Sequence, residues 1–439
     1  MSTEAAPLGA NLAAEETAFS AAQRVAGAMR GFAREVGALS ALRLESCIHC
    51  GMCASACQFY LSTGNPSYTP ILKVEPFKQF FKREAGAFAP FIRWLGLKRA
   101  VTADELAEWQ HLLYDSCTMC GRCSLICPMG IDIAELIGQA RHAMFEAGLA
   151  PRELYEKAAL QRHTGQPEGS EPYRDRLLAI GRQFDIEIPL DKSRAEVMLT
   201  VPRTDIEHYP TAVAALARVM AYLDADCTFR SDGLVAENYG YYAGSRQWQR
   251  EISQRLIDQA IACQARVLIV PECGHAYSAL RWEAAELAGR PLPFKVRHIV
   301  EYLAEALDEG KLRLRKAETG ATAFHDPCML VRKGGVTAAP RRLLGAMGIV
   351  PREMNRDIGF NLCCGGGGGV IDIERATPLR YRVVEDKLRE IDRTGARTFL
   401  TSCSDCRRTF DDGKRHFGWD KTTQSLLELV AAHLHTESD

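Results

Sequence analysis

Sixteen cysteines constrain this chain more than any other feature, because thirteen of them stand in three tight groups. Four lie between residues 47 and 57, four between 117 and 127, and five between 328 and 406. A chain of 439 residues does not depend on a disulfide scaffold, and disulfide frameworks are typical of much smaller secreted domains. Grouped cysteines in a chain of this size indicate ligands for metal ions or clusters.

The first two groups have one spacing in common, C-x2-C-x2-C-x3-C, which is followed by Gln58 in the first group and by Pro128 in the second. This is the pattern of bacterial ferredoxins with two clusters, in which the fourth cysteine of each run ligates the other cluster. We therefore predict two [4Fe-4S] clusters. The ligands of the first are Cys47, Cys50, Cys53 and Cys127, and those of the second are Cys117, Cys120, Cys123 and Cys57. Zinc knuckles are the alternative, but they use paired C-x2-C units without a third cysteine at this spacing.

The third group consists of Cys328, Cys363, Cys364, Cys403 and Cys406. Each part follows an expected strand or lies in a loop, so that all of them can meet at one edge of a sheet. Five cysteines exceed the four ligands of tetrahedral zinc, and two adjacent cysteines favour an unusual, bridging cluster. The glycine run that follows allows the backbone to approach a cofactor closely, and we assign this role to Gly365, Gly366 and Gly367. The run matches neither a phosphate loop nor a dinucleotide fingerprint.

The organisation of the chain predicts a multidomain α+β protein. From about residue 195 onward, short apolar strands alternate with helices, which indicates α/β sheets. The predicted strands lie in AEVMLTVP, ARVLIVPE, ATAFHDP and ARTFLTS. The expected parts are a helical N-terminal segment (1–40), a helical ferredoxin-like domain (41–150), a helical linker (151–194) and two α/β halves (195–315 and 316–439).

The two α/β halves look like a repeat. A shift of 125 residues places Pro327 on Pro202 and Cys328 on Arg203, and it places the Cys363–Cys364 pair on Asn238 and Tyr239. A shift of 131 places Cys403 on Glu272 and Cys406 on His275. We interpret this as a duplication whose first half is degenerate. Chance similarity between two βα units is the alternative.

Composition and the N-terminal sequence limit the class of protein and its location in the cell. Lys and Arg total 54 against 55 Asp and Glu, so the chain lacks the basic footprint of a nucleic-acid-binding protein. The first residues carry acids where a signal peptide needs a basic end, and no stretch reaches 18 consecutive apolar residues. We expect a cytoplasmic protein, held on the membrane face through a partner.

With these motifs in place, the sequence resembles a known family. The pattern C-x34-CCG-x37-C-x2-C resembles the CCG domain of heterodisulfide reductases. The ferredoxin-like part followed by two CCG-type halves resembles the D subunit of heterodisulfide reductase and its relatives, among them DsrK and TmcB, over about residues 40 to 430. The resemblance implies an iron–sulfur oxidoreductase whose C-terminal half binds a third, non-cubane [4Fe-4S] cluster that cleaves a disulfide. It implies that the five cysteines of the third group are both its ligands and its catalytic residues.

The same resemblance implies the partners. We expect electrons to pass between a quinone-linked membrane cytochrome b and a disulfide or thiol substrate, on a small molecule or a carrier protein. His325 is a candidate proton donor to the leaving thiolate, or a residue that merely caps a loop. The aromatic and basic insert at 75–99 either docks on the membrane partner or packs into the core. Two other functions remain open: an electron relay from a flavoprotein to quinone without disulfide chemistry, and a scaffold stapled by zinc.

Overall fold

The computed structural model describes residues 19–97, 99–169 and 171–435, and its contacts divide the chain into two compact units. The first unit contains the residues up to Ala159 together with Tyr239–Trp248 and Gly368–Arg380, and the second contains Leu160–Asn238, Gln249–Gly367 and Tyr381–Asp439. The domains that we predict from the sequence are continuous, whereas each unit is assembled from separate segments. Residues 1–18 of the expected N-terminal helical segment lie outside the described residues.

The first unit is helical. Its α-helices are Ala21–Glu35, Ala38–Ser46, Gln58–Thr63, Pro70–Glu84, Ala89–Trp94, Ala103–Gln110, Arg122–Leu125, Ile133–Glu146 and Tyr239–Ala243. Short 3-10 turns cover Met52–Ala56, Pro66–Tyr68, Val370–Asp372 and Glu374–Ala376, and a π-helical turn covers His111–Asp115. Three further helices, Arg152–Thr164, Arg246–Ala262 and Thr377–Asp392, contribute residues to both units.

Two long helices of the first unit pack closely because glycine lines their contact. A Cβ atom on Gly31 would lie 2.6 Å from Cα of Ala143, and one on Gly27 would lie 2.4 Å from the carbonyl oxygen of Glu146. Helix Ala21–Glu35 begins with a capping box formed by Ser20 and Gln23, which satisfies backbone N–H groups at its first turn. Its apolar face continues into an aromatic core in which the ring centroid of Phe32 lies 5.1 Å from that of Trp109.

The second unit contains two parallel sheets. The first has the order β2-β1-β3-β4, formed by β1 (Val197–Leu199), β2 (Cys227–Phe229), β3 (Val267–Val270) and β4 (Lys295–His298). The second has the order β5-β6-β7, formed by β5 (Thr322–His325), β6 (Thr398–Thr401) and β7 (Thr422–Ser425). A parallel bridge between Ala323 and Arg352 adds a pairing on the free side of β5. The central strands are buried apolar runs, as parallel sheets covered by helices require.

Helices and helical turns connect the strands of the second unit. They are Tyr173–Phe184, Arg203–His208, Pro210–Tyr222, Gly274–Ser278, Ala284–Ala288, Ile299–Asp308, Ala338–Ala346, Ser404–Phe417 and Leu426–Ala432, with π-helical turns at Ala279–Glu283 and Met329–Lys333. The sequence predicts β1, β3, β5 and β6, but it does not single out β2, β4 and β7. Every strand pairing is parallel, and a ligand site at the carboxyl ends of such strands is typical of this architecture.

Candidate iron–sulfur and CCG sites

The two ferredoxin-like loops have the same backbone conformation. His49 and Gly51 flank Cys50, and Met119 and Gly121 flank Cys120; all four residues have positive φ, at 54°, 77°, 52° and 73°. Left-handed residues on both sides of the central cysteine turn the chain tightly, and a non-glycine residue adopts this conformation at a cost in energy. Because two loops of different sequence share this unfavourable backbone conformation, we infer that they have the same function.

The structure brings together the four cysteines of the first predicted set. Cys47, Cys50, Cys53 and Cys127 line one cavity, whose wall also includes Pro128 and Lys78. The pKa of the Cys53 thiol is raised by burial and by the charges of the other three, which shows their mutual proximity. Cys50 is exposed, so this set lies near the surface of the unit.

The second predicted set also comes together, and it is more deeply enclosed. Burial raises the pKa of the Cys123 thiol well above its usual value, and the charges of Cys120, Cys117 and Cys57 add to that shift. In each set, three cysteines of one run meet the last cysteine of the other.

One helix supplies a buried cation to each ferredoxin-like set. Lys73 is 1% exposed, and its Nζ lies 3.8 Å from Sγ of Cys57 and also donates a hydrogen bond to the carbonyl of Ser116. Lys78 is 5% exposed, and its Nζ donates to the carbonyl of Cys47 at 3.0 Å. Both residues belong to helix Pro70–Glu84. A buried ammonium group without a carboxylate partner suits a site that holds negative charge.

Arg141 fastens the second ferredoxin-like loop to a distant segment of the same unit. It is fully buried, and its guanidinium group donates to the carbonyls of Cys117 at 2.8 Å and Gly368 at 2.7 Å. It also donates to the carbonyls of Leu113 and Tyr242. Arginine can make all of these contacts because its planar guanidinium group has five N–H donors in a fixed arrangement. Gly368 stands four residues after Cys364 in the sequence.

The five cysteines of the third group are all buried in the second unit, after β5 and β6 and in the loop between them. Sγ of Cys328 lies 3.9 Å from Sγ of Cys363. Cys364 makes side-chain hydrogen bonds with Cys363 and Cys406, and Cys406 makes one with Cys403. The thiols thus form one continuous group.

Backbone groups and hydroxyl groups surround these thiols. The N–H of Gly365 points to Sγ of Cys363 and that of Gly366 to Sγ of Cys364, each at 3.5 Å. Gly365 has φ +96°, which a residue with a side chain rarely adopts, and Gly367 is buried. The hydroxyl oxygens of two buried residues, Thr401 and Ser402, have no hydrogen-bond partner among the described residues. Converging thiols, inward N–H donors and unpartnered buried hydroxyls fit a sulfur-ligated cluster.

A buried ion pair supports the loop that carries the adjacent cysteines. Nζ of Lys387 donates to Oε2 of Glu390 at 2.5 Å, and the carboxylate of Glu390 accepts from the N–H of Leu362 at 3.1 Å. Lys387 is completely buried, and its pKa is lowered by burial and raised in part by Glu390 and Cys363. This pair anchors the residue immediately before Cys363.

His325 lies in the core rather than at an open site. Its ring contacts Phe410 in an edge-on arrangement with centroids 5.1 Å apart, and Nδ1 lies 3.0 Å from Nδ2 of Asn361. Burial, and then the charges of Lys387 and Arg332, lower the pKa of His325 well below its usual value. The imidazole is therefore uncharged near neutral pH, and its Nε2 has no hydrogen-bond partner within the part of the chain that the structure describes.

Across residues 19–97, 99–169 and 171–435, no group of three or more His, Cys, Asp or Glu side chains is arranged to hold a single metal ion. Within the same part of the chain, no helix combines the length and the apolar character that crossing a membrane requires.

Comparisons with known proteins agree with this geometry. Residues 43–131 match the family of 4Fe-4S dicluster domains, and residues 322–411 match the family of cysteine-rich CCG domains. The D subunit of dihydromethanophenazine:CoB–CoM heterodisulfide reductase from Methanosarcina mazei is 26% identical over 92% of this chain and 97% of its own length. The chain is an iron–sulfur oxidoreductase with a CCG domain. The resemblance to the D subunit of heterodisulfide reductase that the sequence motifs indicate is confirmed.

Two further relatives of this CCG-domain oxidoreductase have different names. Hdr-like menaquinol oxidoreductase iron–sulfur subunit 2 of Archaeoglobus fulgidus is 24% identical over 83% of this chain and 74% of its own length. EtfAB:quinone oxidoreductase of Syntrophomonas wolfei is 26% identical over 87% of this chain and 57% of its own length.

Sequence reasoning did not find Lys73, Lys78, Arg141 or Lys387 in the CCG-domain oxidoreductase. Lysine and arginine in helical segments are normally solvated, and their burial depends on tertiary packing. Lys78 lies among the aromatic residues of the insert at 75–99, whereas Lys73 precedes the insert and carried no such signal. Cys227, Cys263 and Cys273 are all buried, and Cys273 lies among acids and near Cys403.

Proposed function

We propose that this chain is the iron–sulfur subunit of a heterodisulfide-reductase-like complex associated with a membrane. In this proposal, electrons pass between a cytochrome b partner linked to quinone and a disulfide or thiol substrate at the CCG site. The single observation that carries the proposal is the continuous group of five buried thiols in the second unit. The names of the Methanosarcina and Archaeoglobus relatives support it.

We assign three clusters to the chain. The sets at Cys47 and Cys117 are proposed to hold two [4Fe-4S] clusters, and the five CCG cysteines a third cluster of non-cubane type, on which these thiolates are the catalytic groups. When bound, such clusters take up and release single electrons at potentials set by their surroundings. Lys73 and Lys78 offset negative charge at the first two sites. The N–H groups of Gly365 and Gly366 stabilise thiolate sulfur at the third.

The insert at residues 75–99 supports docking of a membrane partner. It divides into two parts, because Phe77, Phe80 and Phe81 are buried in the core whereas later aromatic residues are exposed. Phe88 is 74% exposed and Trp94 is 78% exposed. Exposed aromatic residues beside arginine are typical of surfaces that meet a membrane or an apolar partner. We propose that this surface holds the chain peripherally on the cytoplasmic face.

We also propose that the second unit arose by duplication. The order β2-β1-β3-β4 of the first sheet corresponds to the bridge at Arg352 followed by β5-β6-β7 in the second. The first unit takes in a segment from each half, and a shift of 125 residues places residues 243–248 of one segment on 368–373 of the other. The corresponding strand orders and the matching segments support the duplication of one ancestral half.

The experiment begins with anaerobically purified full-length chain. Iron analysis and electron paramagnetic resonance should show three clusters, with one signal that changes when a thiol is added to oxidised protein. Reduced viologen should then drive reduction of a small disulfide. Cys364→Ser should abolish turnover of the disulfide while the signals of the two ferredoxin-like clusters remain. The matched variant Cys227→Ser should leave both the turnover and the cluster signals unchanged. Zinc in place of the third cluster would refute the proposed function.

The alternative function is an electron relay between a flavoprotein and quinone without disulfide chemistry. The relative named EtfAB:quinone oxidoreductase favours it. In that case reduced electron-transfer flavoprotein would reduce the clusters, no disulfide would be turned over, and Cys364→Ser would slow quinone reduction instead.

A further inference from the structure

The degenerate half of the second unit contains three buried acids, and a fourth acid from the CCG half lies beside them. The three are Asp205, Glu237 and Glu272, the fourth is the half-buried Asp405, and the thiol of Cys273 lies among them. Asp205 and Glu237 are each 3% exposed, and Glu272 is 2% exposed. Asp405 stands between Cys403 and Cys406, so the group extends into the CCG motif.

Hydrogen bonds join the degenerate half to the loop of the CCG cysteines. The hydroxyl of Thr204 donates to Oδ1 of Asp405 at 2.7 Å, and the N–H of Ser404 donates to the carbonyl of Glu272 at 2.8 Å. Oε1 of Glu237 accepts from the N–H of Arg203 at 2.8 Å. The acids therefore lie within one connected region of the second unit.

Oε2 of Glu237 is buried and has no hydrogen-bond partner among the described residues. The carboxyl group of Asp205 makes a side-chain hydrogen bond with Ser404. A buried polar atom without a hydrogen bond destabilises the folded state, so its retention calls for a functional reason.

The nearby cations are already engaged by other carboxylates. The guanidinium group of Arg203 pairs with Glu168 and Glu207, and Arg407 pairs with Glu428 at 2.9 Å. The three buried carboxylates cannot all stay ionised in this environment without compensation. Burial, and then the charge of Asp405, raise the pKa of Glu237 to about 8, while Arg203 lowers it in part. The carboxyl group of Glu237 is therefore protonated near neutral pH.

We propose that the buried carboxyl group of Glu237 holds a proton for the CCG site and delivers it, through the neighbouring acids, to a thiolate released when a disulfide is reduced there. The inference rests on the disulfide chemistry proposed above. Reduction of RSSR breaks the S–S bond, consumes two electrons and two protons, and yields two RSH. The electrons come from the external reductant. Glu237 supplies one proton and Asp205 the other, and water returns both.

In this proposal the degenerate half, which lacks the cluster cysteines, has the role of supplying protons. Glu237 immediately precedes Asn238, which the shift of 125 residues places on Cys363. The position that would lead into a second cysteine pair thus carries an acid instead. His325 has its own Nε2 unpartnered, but it packs between aromatic rings, whereas the acids connect directly to the Cys403–Cys406 loop.

The first test detects the proton itself. Infrared spectra of the full-length chain should show the carbonyl band of a protonated carboxyl at about pH 7, and this band should fade as the pH rises through about 8, the pKa of Glu237. Glu237→Gln should remove the part of the band that fades near pH 8, and Asp205→Asn should reduce what remains. Glu309→Gln is the matched control, because Glu309 is 57% exposed and pairs with Lys311 at the surface. An unchanged band in Glu237→Gln would overturn the assignment.

The second test measures delivery. Reduced viologen and bis(2-hydroxyethyl) disulfide serve as electron donor and probe. Removal of a general acid lowers a rate by about 100-fold or more, so Glu237→Gln should lower kcat by that order, with KM little changed and the alkaline limb of the pH profile lost. A wild-type rate and profile in a cluster-loaded variant would refute delivery.

The two failures are distinguishable. If the wild type reduces no disulfide at any pH, the proposed function and proton delivery both fail, whatever the infrared spectra show. If the wild type turns over and Glu237→Gln does so equally, the proposed function stands and the role of Glu237 fails. Asp205→Asn provides the same comparison if Glu237→Gln loses its clusters.

Discussion

Replacing Lys73 with glutamine should lower the midpoint potential of the cluster site formed by Cys57, Cys117, Cys120 and Cys123. Reduction adds one negative charge to that site, and a buried ammonium group favours the reduced form. Glutamine keeps much of the side-chain volume and can still donate a hydrogen bond to Ser116, so the change isolates the charge.

The structure gives the magnitude. Nζ of Lys73 lies 3.8 Å from Sγ of Cys57. Two unit charges at that distance interact by about 4 kcal/mol at an effective dielectric constant of about 20. Spreading the added electron over a whole cluster increases the mean distance and reduces the interaction to about 2 kcal/mol. Since a tenfold change in equilibrium is about 1.4 kcal/mol, or about 59 mV for one electron, the expected fall is about 90 mV.

The assay is a redox titration of anaerobically purified protein, followed by electron paramagnetic resonance. Lys78→Gln is the matched variant, because it should lower the potential of the first cluster site instead, where Lys78 binds the carbonyl of Cys47. Lys311→Gln is the control, since Lys311 is 67% exposed and should shift neither potential. A change below about 20 mV in Lys73→Gln, a third of one tenfold step, or a shift in the wrong cluster, would refute the electrostatic reasoning.

Four other variants test the fold and the acids. Gly31→Ala should destabilise the first unit by about 1 to 3 kcal/mol, because the added Cβ would overlap Ala143. Gly138→Ala in the facing helix meets open space and should stabilise the unit by about 0.5 to 1 kcal/mol. Thermal unfolding of the first unit measures both effects, and equal effects would contradict the close packing. Arg141→Lys should cost about 3 to 5 kcal/mol in urea unfolding, since an ammonium group cannot reach all four carbonyls; a loss below about 1 kcal/mol would show that the fork is dispensable. Burial raises the pKa of Glu237 to about 8 in the folded state, so the folded chain retains a proton that the unfolded chain releases. The free energy of unfolding should therefore fall by up to about 1.4 kcal/mol per pH unit as the pH rises from about 5 to about 8. Urea midpoints of Glu237→Gln should show a shallower decline, and parallel pH curves would argue against the raised pKa.

Local spacing was sufficient to predict much of the candidate site. Each C-x2-C-x2-C-x3-C run specifies its own loop, and the exchange of the fourth cysteines follows from the pattern alone. The structure accordingly brings Cys127 to the first loop and Cys57 to the second. Strands β1, β3, β5 and β6 were also predictable, because buried parallel strands are short apolar runs.

The boundaries of the compact units were not predictable in the same way. Segments Tyr239–Trp248 and Gly368–Arg380 belong to the first unit, although more than 70 residues separate each from the ferredoxin-like motif. They are held there by contacts such as those of Arg141 with Tyr242 and Gly368. Edge strands such as β7, with its polar sequence TTQS, also lack a local signal, because their pairing depends on a neighbour that the tertiary fold supplies.

Cysteine spacing was enough to establish the cysteine sets, the two domain families and the class of chemistry, because thiolate ligands at fixed spacing leave few other uses for those residues. Which charges are buried depends instead on the packing of the whole chain. That packing placed Lys73 and Lys78 beside the ferredoxin-like cysteines and gathered Asp205 and Glu237 in the interior of the second unit. A charged side chain looks the same in a sequence whether water or protein surrounds it, while its effect on potential and proton affinity depends on those surroundings.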